Sequence, residues 1–508
     1  MKARPNILLI TSDQHHYGVL GAVNPHVRTP ALDRLCAEGT RFERAYTCNP
    51  TCTPARASIL TGMYPSQHGA WSLGTKLFED VPTVSSMLSS AGYYTALVGK
   101  AHFQPLASRF GMESLECQPI LRDLDFWRNF HGPWYGFEFV ETARMHTAES
   151  HVGQHYAIWM EERGLKNWRD YFEDWPPNPD RKRQIYSSRA WSLPEEFHYN
   201  AWTSEKTIAQ LRAAVSKGRP FFVWASFHDP HPPYLVPLPW AGMYDPARMV
   251  PGPVAPGEHD ANPEHFRKAA FGNDWEWWKR MNEGEGCVHG GHPQHRDEAD
   301  LRRDIACYYG VVSFMDRHIG LILDELDRLG LTDDTLVVFT TDHGHFLGQH
   351  GLTAKAIHHY EDLIRVPFMV RWPGRVPRGE TSAHLQNLVD LAPTFLAAAG
   401  LEAPRTMTGV NLLPDWLGEK AVRSWSVTEN HHGNRRFHMR SYVNERYKIT
   451  VYATMSDGEI FDLAEDPGET RNLWHEPSCR DLKAQLMCEF LQAVLQYEPV
   501  RMPRIAVA

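Results

Sequence analysis

The run NILLITSD (6–13) decides the fold, because a short apolar segment that stops at polar residues is typical of a buried parallel strand. Three further runs have the same form: YTALVGKAH (94–102), PFFVWASFHDPH (220–231) and TLVVFTTDHGH (335–345). Helical patterns that end at or just before a glycine lie between them: TPALDRLCAEG (29–39), VSSMLSSAG (84–92) and MDRHIGLILDELDRLG (315–330). This alternation predicts an α/β fold, with a large, mixed but mostly parallel sheet sandwiched by helices.

Each of these four strands delivers ionisable side chains at its carboxyl end. In chain order they are Asp13, then Lys100 and His102, then His228, Asp229 and His231, then Asp342 and His343. Open α/β sheets bind ligands at the carboxyl ends of their strands. The sequence therefore predicts that these side chains converge on one site.

A cysteine stands at the start of a further helical segment, CTPARASILTG (52–62). Pro54 suits the first turn of a helix, where its missing N–H is not needed. Unpaired amides at a helix start favour negative charge, and Arg56 follows within one turn. A cysteine in this setting is expected to have a depressed pKa and to be reactive, but these local features alone favour the alternative of a buried structural cysteine.

Composition excludes several classes of protein. The 508 residues carry a net charge of −9, with 52 Lys and Arg against 61 Asp and Glu, which argues against sequence-independent nucleic-acid binding. No apolar run is long enough to span a bilayer, and the N-terminus MKARPNILLITSDQ does not resemble a signal peptide. The eight cysteines are spread thinly, without a secreted-type framework. We expect a cytoplasmic protein with reduced thiols.

The pattern of strand-like, helical and aromatic-rich segments along the chain predicts two domains. Residues 1–420 hold the strand and helix pattern, interrupted by aromatic-rich insertions at about 117–200 and 235–300 that wall a pocket or form the contacts of a homo-oligomer. In the second insertion, CVHGGHPQHRD (287–297) lacks orderly ligand spacing, which favours a surface loop over a metal site. Residues 421–508 contain two strand-like stretches, 440–452 and 458–463, and a helical stretch, 479–498. They predict a small α+β domain.

Six motifs, in order along the chain, carry a resemblance to a known family. They are Asp13-Gln14, Cys52-x-Pro54-x-Arg56 followed by ASILTG, VGKAH (98–102), the DHG at 342–344, Lys355, and EIFDLAEDPGETRNL (459–473). On these residues the chain resembles the sulfatases of the alkaline phosphatase superfamily. The resemblance covers nearly the whole chain and is weakest over the two insertions. It implies an alkaline-phosphatase-like fold.

The resemblance implies an arylsulfatase-like enzyme that hydrolyses sulfate monoesters. A formylglycine-generating enzyme would oxidise Cys52 to 3-oxoalanine (formylglycine) before the chain folds. The aldehyde hydrates to a gem-diol, of which one hydroxyl is the nucleophile and the other expels the transferred group. The hemiacetal ester formed in this way can collapse, whereas an ordinary ester would need attack by water.

The resemblance also assigns roles to individual side chains. Lys100 and Lys355 grip the anionic oxygens in the transition state, and Arg56 holds the formylglycine hydroxyl. His231 is the general acid for the leaving alcohol, and His102 is the base for collapse of the diol. The expected metal ligands are Asp13, Asp342, His343 and the modified Cys52, with Gln14 as a further candidate.

The expected metal set departs from the all-oxygen Asp-Asp-Asp-Asn set of many sulfatases. Gln14 replaces the second aspartate and His343 replaces the asparagine. Imidazole shifts preference toward manganese, zinc or iron, while the carboxylates still accept calcium, so one Mn²⁺ or Ca²⁺ ion is expected. This pairing resembles the branch that holds choline sulfatases and phosphonate monoester hydrolases.

Several alternatives stay open at this level. His228 and Asp229 either shape the substrate pocket or cap their strand, and HYN (198–200) and His358-His359 share that ambiguity. A phosphonate monoester or phosphodiester hydrolase would use the same site. A phosphatase with an unmodified Cys52 would leave the metal ligands idle, and a non-enzymatic binding protein would be expected to lose part of the set.

Overall fold

The computed structural model describes residues 4–144, 149–172, 189–282, 290–432, 434–499 and 502. The strands are β1 (Asn6–Ser12), β2 (Thr40–Tyr46), β3 (Tyr94–Gly99), β4 (Phe139–Thr142), β5 (Arg189–Ala190), β6 (Phe221–Ser226), β7 (Leu235–Val236), β8 (Thr335–Thr341), β9 (Phe346–Leu347), β10 (Thr353–Ala354), β11 (Arg365–Val366), β12 (Met369–Arg371), β13 (Glu380–Asn387), β14 (Ser426–His432), β15 (Asn434–Val443), β16 (Tyr447–Tyr452) and β17 (Gly458–Asp462). The α-helices are α1 (Pro30–Glu38), α2 (Cys52–Thr61), α3 (Pro65–His68), α4 (Val84–Ser90), α5 (Leu124–Asn129), α6 (Gln154–Glu162), α7 (Tyr199–Lys217), α8 (Glu264–Ala270), α9 (Trp275–Met281), α10 (Glu298–Arg328), α11 (Glu361–Ile364), α12 (Leu391–Ala398), α13 (Leu413–Trp416) and α14 (Arg480–Gln496).

The main sheet is mixed, and its centre is parallel. Its strand order is β11-β2-β12-β8-β1-β6-β3-β4, with β13 beside β2. The five consecutive strands β8, β1, β6, β3 and β4 all run parallel to one another, whereas β12 runs antiparallel to both β8 and β2. The four strands predicted from apolar runs are therefore adjacent, and their carboxyl ends share one edge of the sheet.

Helices cover both faces of this sheet, as the alternation of strands and helices predicted. Ile7 and Leu9 of β1 pack into one apolar core with α2, α4 and α12, while Leu8 and Ile10 pack into a second core with α1, α7 and α10. Successive side chains of a strand point to opposite faces, so a continuous apolar run indicates burial on both. The helix predicted at 315–330 is the second half of α10, which begins at Glu298.

Part of the region 117–200, interpreted from sequence as an insertion, belongs to the main sheet. Strand β4 pairs in parallel with β3, with Gly99 opposite Thr142. Many of the aromatic side chains that marked this region as a pocket wall form a core of their own, which includes Tyr156, Trp168 and Trp202. The loop predicted at 287–297 begins within 283–289, which lies outside the described residues.

The C-terminal α+β unit predicted from sequence is present. Strands β14 to β17 form an antiparallel sheet, and α14 packs against it through Leu486 and Phe490. This sheet also contacts the chain that leads into α2. The N–H of Glu429 donates to the carbonyl of Cys48 (2.8 Å), and Asn49 Nδ2 donates to the carbonyl of Glu429 (2.7 Å).

Among the described residues, no helix combines the length and apolarity that a membrane crossing requires. Their seven cysteines, which are all except Cys287, are free thiols.

Candidate functional site

The predicted convergence of strand ends is present in the structure. Asp13 follows β1, Asp342 and His343 follow β8, and Cys52 is the first residue of α2. One ligand atom from each of these four buried side chains lies within 4.8 Å of the others. The carboxyl edge of the sheet thus gathers two carboxylates, an imidazole and a thiol around one point.

The Cys52 thiol contacts an ammonium group, an imidazole and a carboxylate. Its Sγ accepts a hydrogen bond from Lys355 Nζ (3.1 Å), and it lies 3.4 Å from His343 Nε2 and 3.6 Å from Asp13 Oδ1. The turn before the helix is held by Asn49, whose Oδ1 accepts from the backbone N–H of Thr51 (2.8 Å). The position of the thiol is therefore fixed by the helix start and by the strand ends together.

The prediction of a depressed pKa for Cys52 was wrong. Burial raises the pKa of this thiol above its ordinary value, and the negative charge of Asp13 adds to that effect, while Lys100 and Lys355 oppose it. The helix start is present, but a thiolate there would be removed from water beside a carboxylate. Burial, with the added charge of the carboxylates, thus keeps the unmodified thiol protonated, which disfavours chemistry by a free thiolate.

Arg56 is a buried clamp between the strand ends. Its Nε donates to Asp342 Oδ2 (2.9 Å) and its Nη2 to Asp13 Oδ2 (3.4 Å). Its Nη1 donates to Ser226 Oγ (2.7 Å) and to the carbonyl of Lys100 (3.1 Å). Ser226, at the end of β6, was not predicted from sequence; it ends the strand run just before the charged residues and carries no charge of its own.

Lys100 pairs with the same oxygen of Asp13 that Arg56 contacts. Its Nζ forms a close ion pair with Asp13 Oδ2, and its backbone N–H donates to the carbonyl of Ser226 (2.9 Å). Gly99 makes this approach possible, since its φ is +106° and a Cβ there would lie 1.9 Å from the carbonyl oxygen of Ser226. Burial alone would raise the pKa of Asp13, but Lys100 and the other cations around it hold that pKa well below its ordinary value.

His102 stands in the left-handed region, with φ +57°. Glu116 holds that turn, because its two carboxylate oxygens accept from the backbone N–H groups of His102 (2.9 Å) and Gln104 (2.7 Å). Burial lowers the pKa of His102 well below its usual value, and Arg144 and Lys100 lower it further. The ring is therefore neutral. Glu116 was missed from sequence because it lies in a loop with no motif around it.

His231 and Lys355 face each other across the site. Lys355 Nζ donates to His231 Nε2 (3.1 Å), and His231 Nδ1 donates to the carbonyl of Pro232 (2.6 Å). Burial and the charge of Lys355 lower the pKa of His231 well below its usual value. These contacts leave Nε2 as the nitrogen of His231 that faces the Cys52 side of the site.

The donor set fits a divalent metal ion. His343 Nδ1 donates to the carbonyl of Gly344 (3.0 Å), which leaves the lone pair of Nε2 for a ligand. Asp342 Oδ1 is oriented by the backbone N–H groups of Gln14 and His343, both at 3.0 Å. Gln14 Nε2 donates to His345 (2.8 Å), while its buried Oε1 has no hydrogen-bond partner in the described parts of the chain. Gln14 can therefore offer a neutral oxygen.

His228 and Asp229 are engaged with the scaffold. His228 Nε2 donates to the carbonyl of Ala143 (2.9 Å). The two oxygens of Asp229 accept from Tyr199 Oη and Asn200 Nδ2, both at 2.6 Å, and its carbonyl accepts from the N–H of Asp13 (2.9 Å). Burial raises the pKa of Asp229 to about 7. These contacts favour the strand-end role over the substrate pocket and explain the HYN segment.

The pair His358-His359 lies between the main sheet and the C-terminal unit. His359 Nδ1 bonds with Ser441 Oγ on β15 (2.7 Å), and the His358 ring lies 5.2 Å from that of His265. Both imidazoles are buried in this packing. The described contacts tie His359 to the C-terminal sheet through a hydrogen bond, and they hold His358 through ring packing alone.

Two family models match the chain. The model described as Sulfatase matches residues 5–401, and the model described as N-sulphoglucosamine sulphohydrolase, C-terminal, matches residues 348–496. The second match begins well before the predicted boundary at residue 421 and includes Lys355 and β11 to β13.

Known proteins resemble the chain over nearly its whole length. An arylsulfatase of Clostridium perfringens is 30% identical over 92% of this chain and 90% of its own. A choline-sulfatase of Rhizobium meliloti is 28% identical over 93% and 83%. Among solved structures, a phosphonate monoester hydrolase from Silicibacter pomeroyi superposes with a TM-score of 0.77 at 25% identity, over 98% of this chain and 96% of its own.

Proposed function

The chain belongs to the sulfatase family of sulfuric ester hydrolases, and we propose that it hydrolyses sulfate monoesters of aryl or similar alcohols at Cys52. The observation that carries this proposal is the setting of the thiol. Its Sγ lies within 3.1–3.6 Å of Lys355, His343 and Asp13. A nucleophile at this position has an anion-binding cation on one side and metal ligands on the other.

Two groups complete the proposed site. Formylglycine at position 52, when hydrated, supplies the attacking hydroxyl. A divalent metal, manganese or calcium, would be held by Asp13, Asp342 and His343 with Gln14 beside them, and it supplies a Lewis acid next to residue 52.

The transferred sulfuryl group is bound by Lys100 and Lys355, while Arg56 holds the formylglycine hydroxyl. Lys355 Nζ is 3.1 Å from Cys52 Sγ. It can therefore contact an oxygen of the sulfuryl group when the nucleophile at residue 52 attacks that group. Lys100 Nζ is paired with Asp13, and Arg56 bridges Asp13 and Asp342. Such fixed, buried cations stabilise charge that develops in the transition state without reorganising.

The two histidines handle the protons. As the S–O bond to the alcohol breaks, His231 Nε2 gives a proton to the leaving oxygen, while its Nδ1 stays anchored on Pro232. In this structure Nε2 accepts from Lys355 Nζ and carries no proton, so His231 must take up a proton from solvent when the ester binds. The negative charge of the ester favours that protonation, against burial and the charge of Lys355, which lower the pKa of the ring. His102 is neutral in its buried setting, and it takes a proton from residue 52 during collapse.

Charge selects among ester classes. Sulfate monoesters, phosphonate monoesters and phosphodiesters each carry one negative charge, whereas a phosphate monoester approaches two near neutral pH. One set of cations can serve the first three alike. The described residues contain one metal-binding group of this kind, so a doubly charged phosphate lacks a second metal to neutralise it. Sulfate monoesters should therefore be hydrolysed faster than phosphate monoesters.

Phosphonate monoester or phosphodiester hydrolysis is the second candidate. It is favoured by Gln14 and His343, which replace carboxylate and amide ligands, and by the superposition on a phosphonate monoester hydrolase. The Lys100-x-His102 pair, which the sequence resemblance associates with sulfatases, favours sulfate.

The test compares three esters of one phenol on one preparation made with a formylglycine-generating enzyme. We expect kcat/KM to be highest for 4-nitrophenyl sulfate, lower for the phenylphosphonate ester, and lowest for the phosphate. A phosphonate preference of tenfold or more, about 1.4 kcal/mol in transition-state binding, would transfer the assignment to the second candidate. Elemental analysis of the same sample measures the metal.

A further inference from the structure

Arg144 is a buried cation next to the site that the proposed reaction does not use. It follows β4, the outermost strand of the parallel series. The N–H of Ala143 donates to the carbonyl of Gly99 (3.1 Å), and the carbonyl of Ala143 accepts from His228. The next residue, Arg144, therefore lies at the same carboxyl edge as Lys100 and His228.

The guanidinium of Arg144 has no counter-ion in the described parts of the chain. The residue is only 4% exposed, and neither Nε nor Nη1 has a hydrogen-bond partner there. Glu116 exerts the strongest attraction on its charge, but both oxygens of Glu116 accept from backbone N–H groups. An arginine stays charged when buried, and an unpaired buried charge is costly. This arrangement is typical of a residue whose partner is a ligand.

A second unpaired group lies at the same end of β4. Gln154 begins α6, is fully buried at 0% exposure, and neither atom of its side-chain amide has a partner in the described ranges. The first turn of this helix abuts β4, because the N–H of Thr142 donates to His155 Nδ1 (3.0 Å). An unpaired buried amide and an unpaired buried guanidinium thus lie at the same strand end, and both groups can donate hydrogen bonds to an anion.

The charge of Arg144 acts on residues that take part in the proposed reaction. Arg144 lowers the pKa of His102 more than Lys100 does, and the charges of Cys52 and Asp13 act in turn on Arg144. Lys100, Lys355 and Arg56 already face Asp13, Asp342 and Cys52, so Arg144 is an additional positive charge. A single sulfuryl group does not require it.

We propose that Arg144, with Gln154, forms a subsite for a second anionic group on the alcohol part of the substrate. The substrate class is thus an organic sulfate that also carries a carboxylate or a second sulfate close to the ester. The guanidinium presents paired N–H donors that match the oxygens of either group. This proposal rests on the proposed function and defines the leaving alcohol.

The test uses pairs of compounds that differ in one charge at equal size. Wild-type enzyme should hydrolyse 3-carboxyphenyl sulfate at least tenfold better in kcat/KM than 3-carbamoylphenyl sulfate. In Arg144→Gln this ratio should fall to about two or below. The carbamoyl ester is the reference, because loss of the charge near His102 acts on the turnover of both esters alike. Arg144→Lys should lie between them. Arg109→Gln, which removes an exposed arginine, is the matched control and should leave the ratio unchanged.

Binding provides a readout that does not depend on turnover. The non-hydrolysable 3-sulfobenzoate should bind wild-type protein at least tenfold more tightly than 3-sulfobenzamide in calorimetry, and Arg144→Gln should abolish the difference. If the protein lacks sulfatase activity but keeps this difference, the proposed function fails and the subsite stands. If wild type shows no preference for the acid, or if Arg144→Gln weakens acid and amide equally, the subsite proposal is overturned. The wild-type comparison holds even if the variant does not fold.

Discussion

Two buried ionic clusters of this molecule look alike in composition and differ in how they are completed. One is the Cys52 site at the carboxyl edge of the main sheet. The other, which we call the Lys448 cluster, comprises Lys448, Glu361, Glu469 and Tyr46 between the main sheet and the C-terminal sheet. Lys448 Nζ pairs with Glu469 Oε1 and lies 3.4 Å from Glu361 Oε1. The remaining oxygens accept from the N–H of Glu361 (2.6 Å) and from Tyr46 Oη (2.9 Å).

The difference lies in what the chain leaves unpaired. Every carboxylate oxygen of the Lys448 cluster has a hydrogen-bond or ion-pair partner within the protein, Glu469 Oε1 through its ion pair with Lys448 alone, so the cluster joins two sheets without a ligand. At the Cys52 site, four ligand atoms crowd within 4.8 Å of one another, and Gln14 Oε1 and His102 Nδ1 have no partner in the described residues. Buried polar groups are normally paired, so an incomplete buried cluster indicates a ligand. The Lys448 cluster should govern stability and the Cys52 site should govern turnover.

The largest expected effect is the loss of turnover in Cys52→Ala. Removing the side chain that becomes the nucleophile should lower kcat/KM for an aryl sulfate by at least about a thousandfold. The melting temperature should change little, because Cys52 belongs to none of the apolar clusters formed by the described residues. Peptide mass spectrometry of wild type made with a maturation enzyme should show the aldehyde at position 52.

Cys48→Ala is the control for this change, since Cys48 is equally buried four residues earlier. It packs with Tyr64 and Val389 in the C-terminal core, and burial raises its pKa to about 12. This variant should lose stability and keep its kcat/KM. Fully active wild-type protein that carries only a free thiol at position 52 would contradict the formylglycine assignment.

The second prediction replaces one buried lysine by methionine in each of the two clusters. Lys355→Met should lower kcat/KM by about a hundred- to a thousandfold, because a fixed cation beside the transferred group is lost. Its free energy of unfolding should change by less than about 1 kcal/mol. Lys448→Met should instead destabilise the protein by about 3–5 kcal/mol, since it leaves buried carboxylates unpaired. Urea unfolding and steady-state kinetics on both variants measure the contrast, and equal losses of stability would remove the distinction between the clusters.

The sequence predicted the framework of the Cys52 site because that framework is local. Apolar runs indicated β1, β3, β6 and β8, and the polar residues that follow each run could be placed on one edge without knowing any distance. The resemblance then supplied roles for individual residues.

The parts that sequence did not predict depend on non-local contacts. Strand β4 is four residues long and lies among aromatics that suggested an insertion, so Arg144 at its end was not recognised. The pKa of Cys52 depends on Asp13, which is distant in the chain. Ser226 and Glu116 act through backbone groups, and such contacts leave no pattern in the sequence.

The third prediction concerns pH and the C-terminal sheet. Burial raises the pKa of Glu459 on β17 from 4.5 to about 8, and its Oε1 accepts from Tyr452 Oη (2.9 Å). The folded protein therefore keeps a proton that the unfolded chain releases above pH 4.5. Stability must fall as pH rises from about 4.5 to about 8 and then level off. Glu459→Gln mimics the protonated form, so the free energy of unfolding lost over this pH range should be smaller by a few kcal/mol in the variant.

Thermal unfolding between pH 5 and pH 9 measures this effect, with Glu465→Gln as the control at an exposed carboxyl. Neither variant should alter kcat/KM, because both lie in the C-terminal unit away from the Cys52 site. A Glu459→Gln profile parallel to that of wild type would show that Glu459 is ionised in the folded protein.

The smallest expected effect is a change of metal preference at His343. Its Nε2 lies 3.4 Å from Cys52 Sγ and 3.8 Å from Asp342 Oδ1, and its Nδ1 is committed to Gly344. Replacing this nitrogen by an amide oxygen should favour calcium over manganese, because oxygen is the harder ligand. We expect the ratio of the Kd for Mn²⁺ to that for Ca²⁺ to rise about tenfold in His343→Asn, about 1.4 kcal/mol.

The side chain of asparagine is shorter than that of histidine, so His343→Gln, whose amide oxygen reaches nearer to the position of Nε2, belongs in the same experiment. Calorimetry on metal-free protein measures both metals at one fixed pH, so proton competition at the imidazole affects both Kd values alike and cancels in their ratio. Metal-induced shifts of the melting temperature give a second readout, since an ion that binds the folded state stabilises it. His26→Asn, at an exposed histidine, should leave the ratio unchanged. If both variants at position 343 keep the wild-type ratio, His343 is not a metal ligand, and the ion is held by oxygen atoms of Asp13, Asp342 and Gln14.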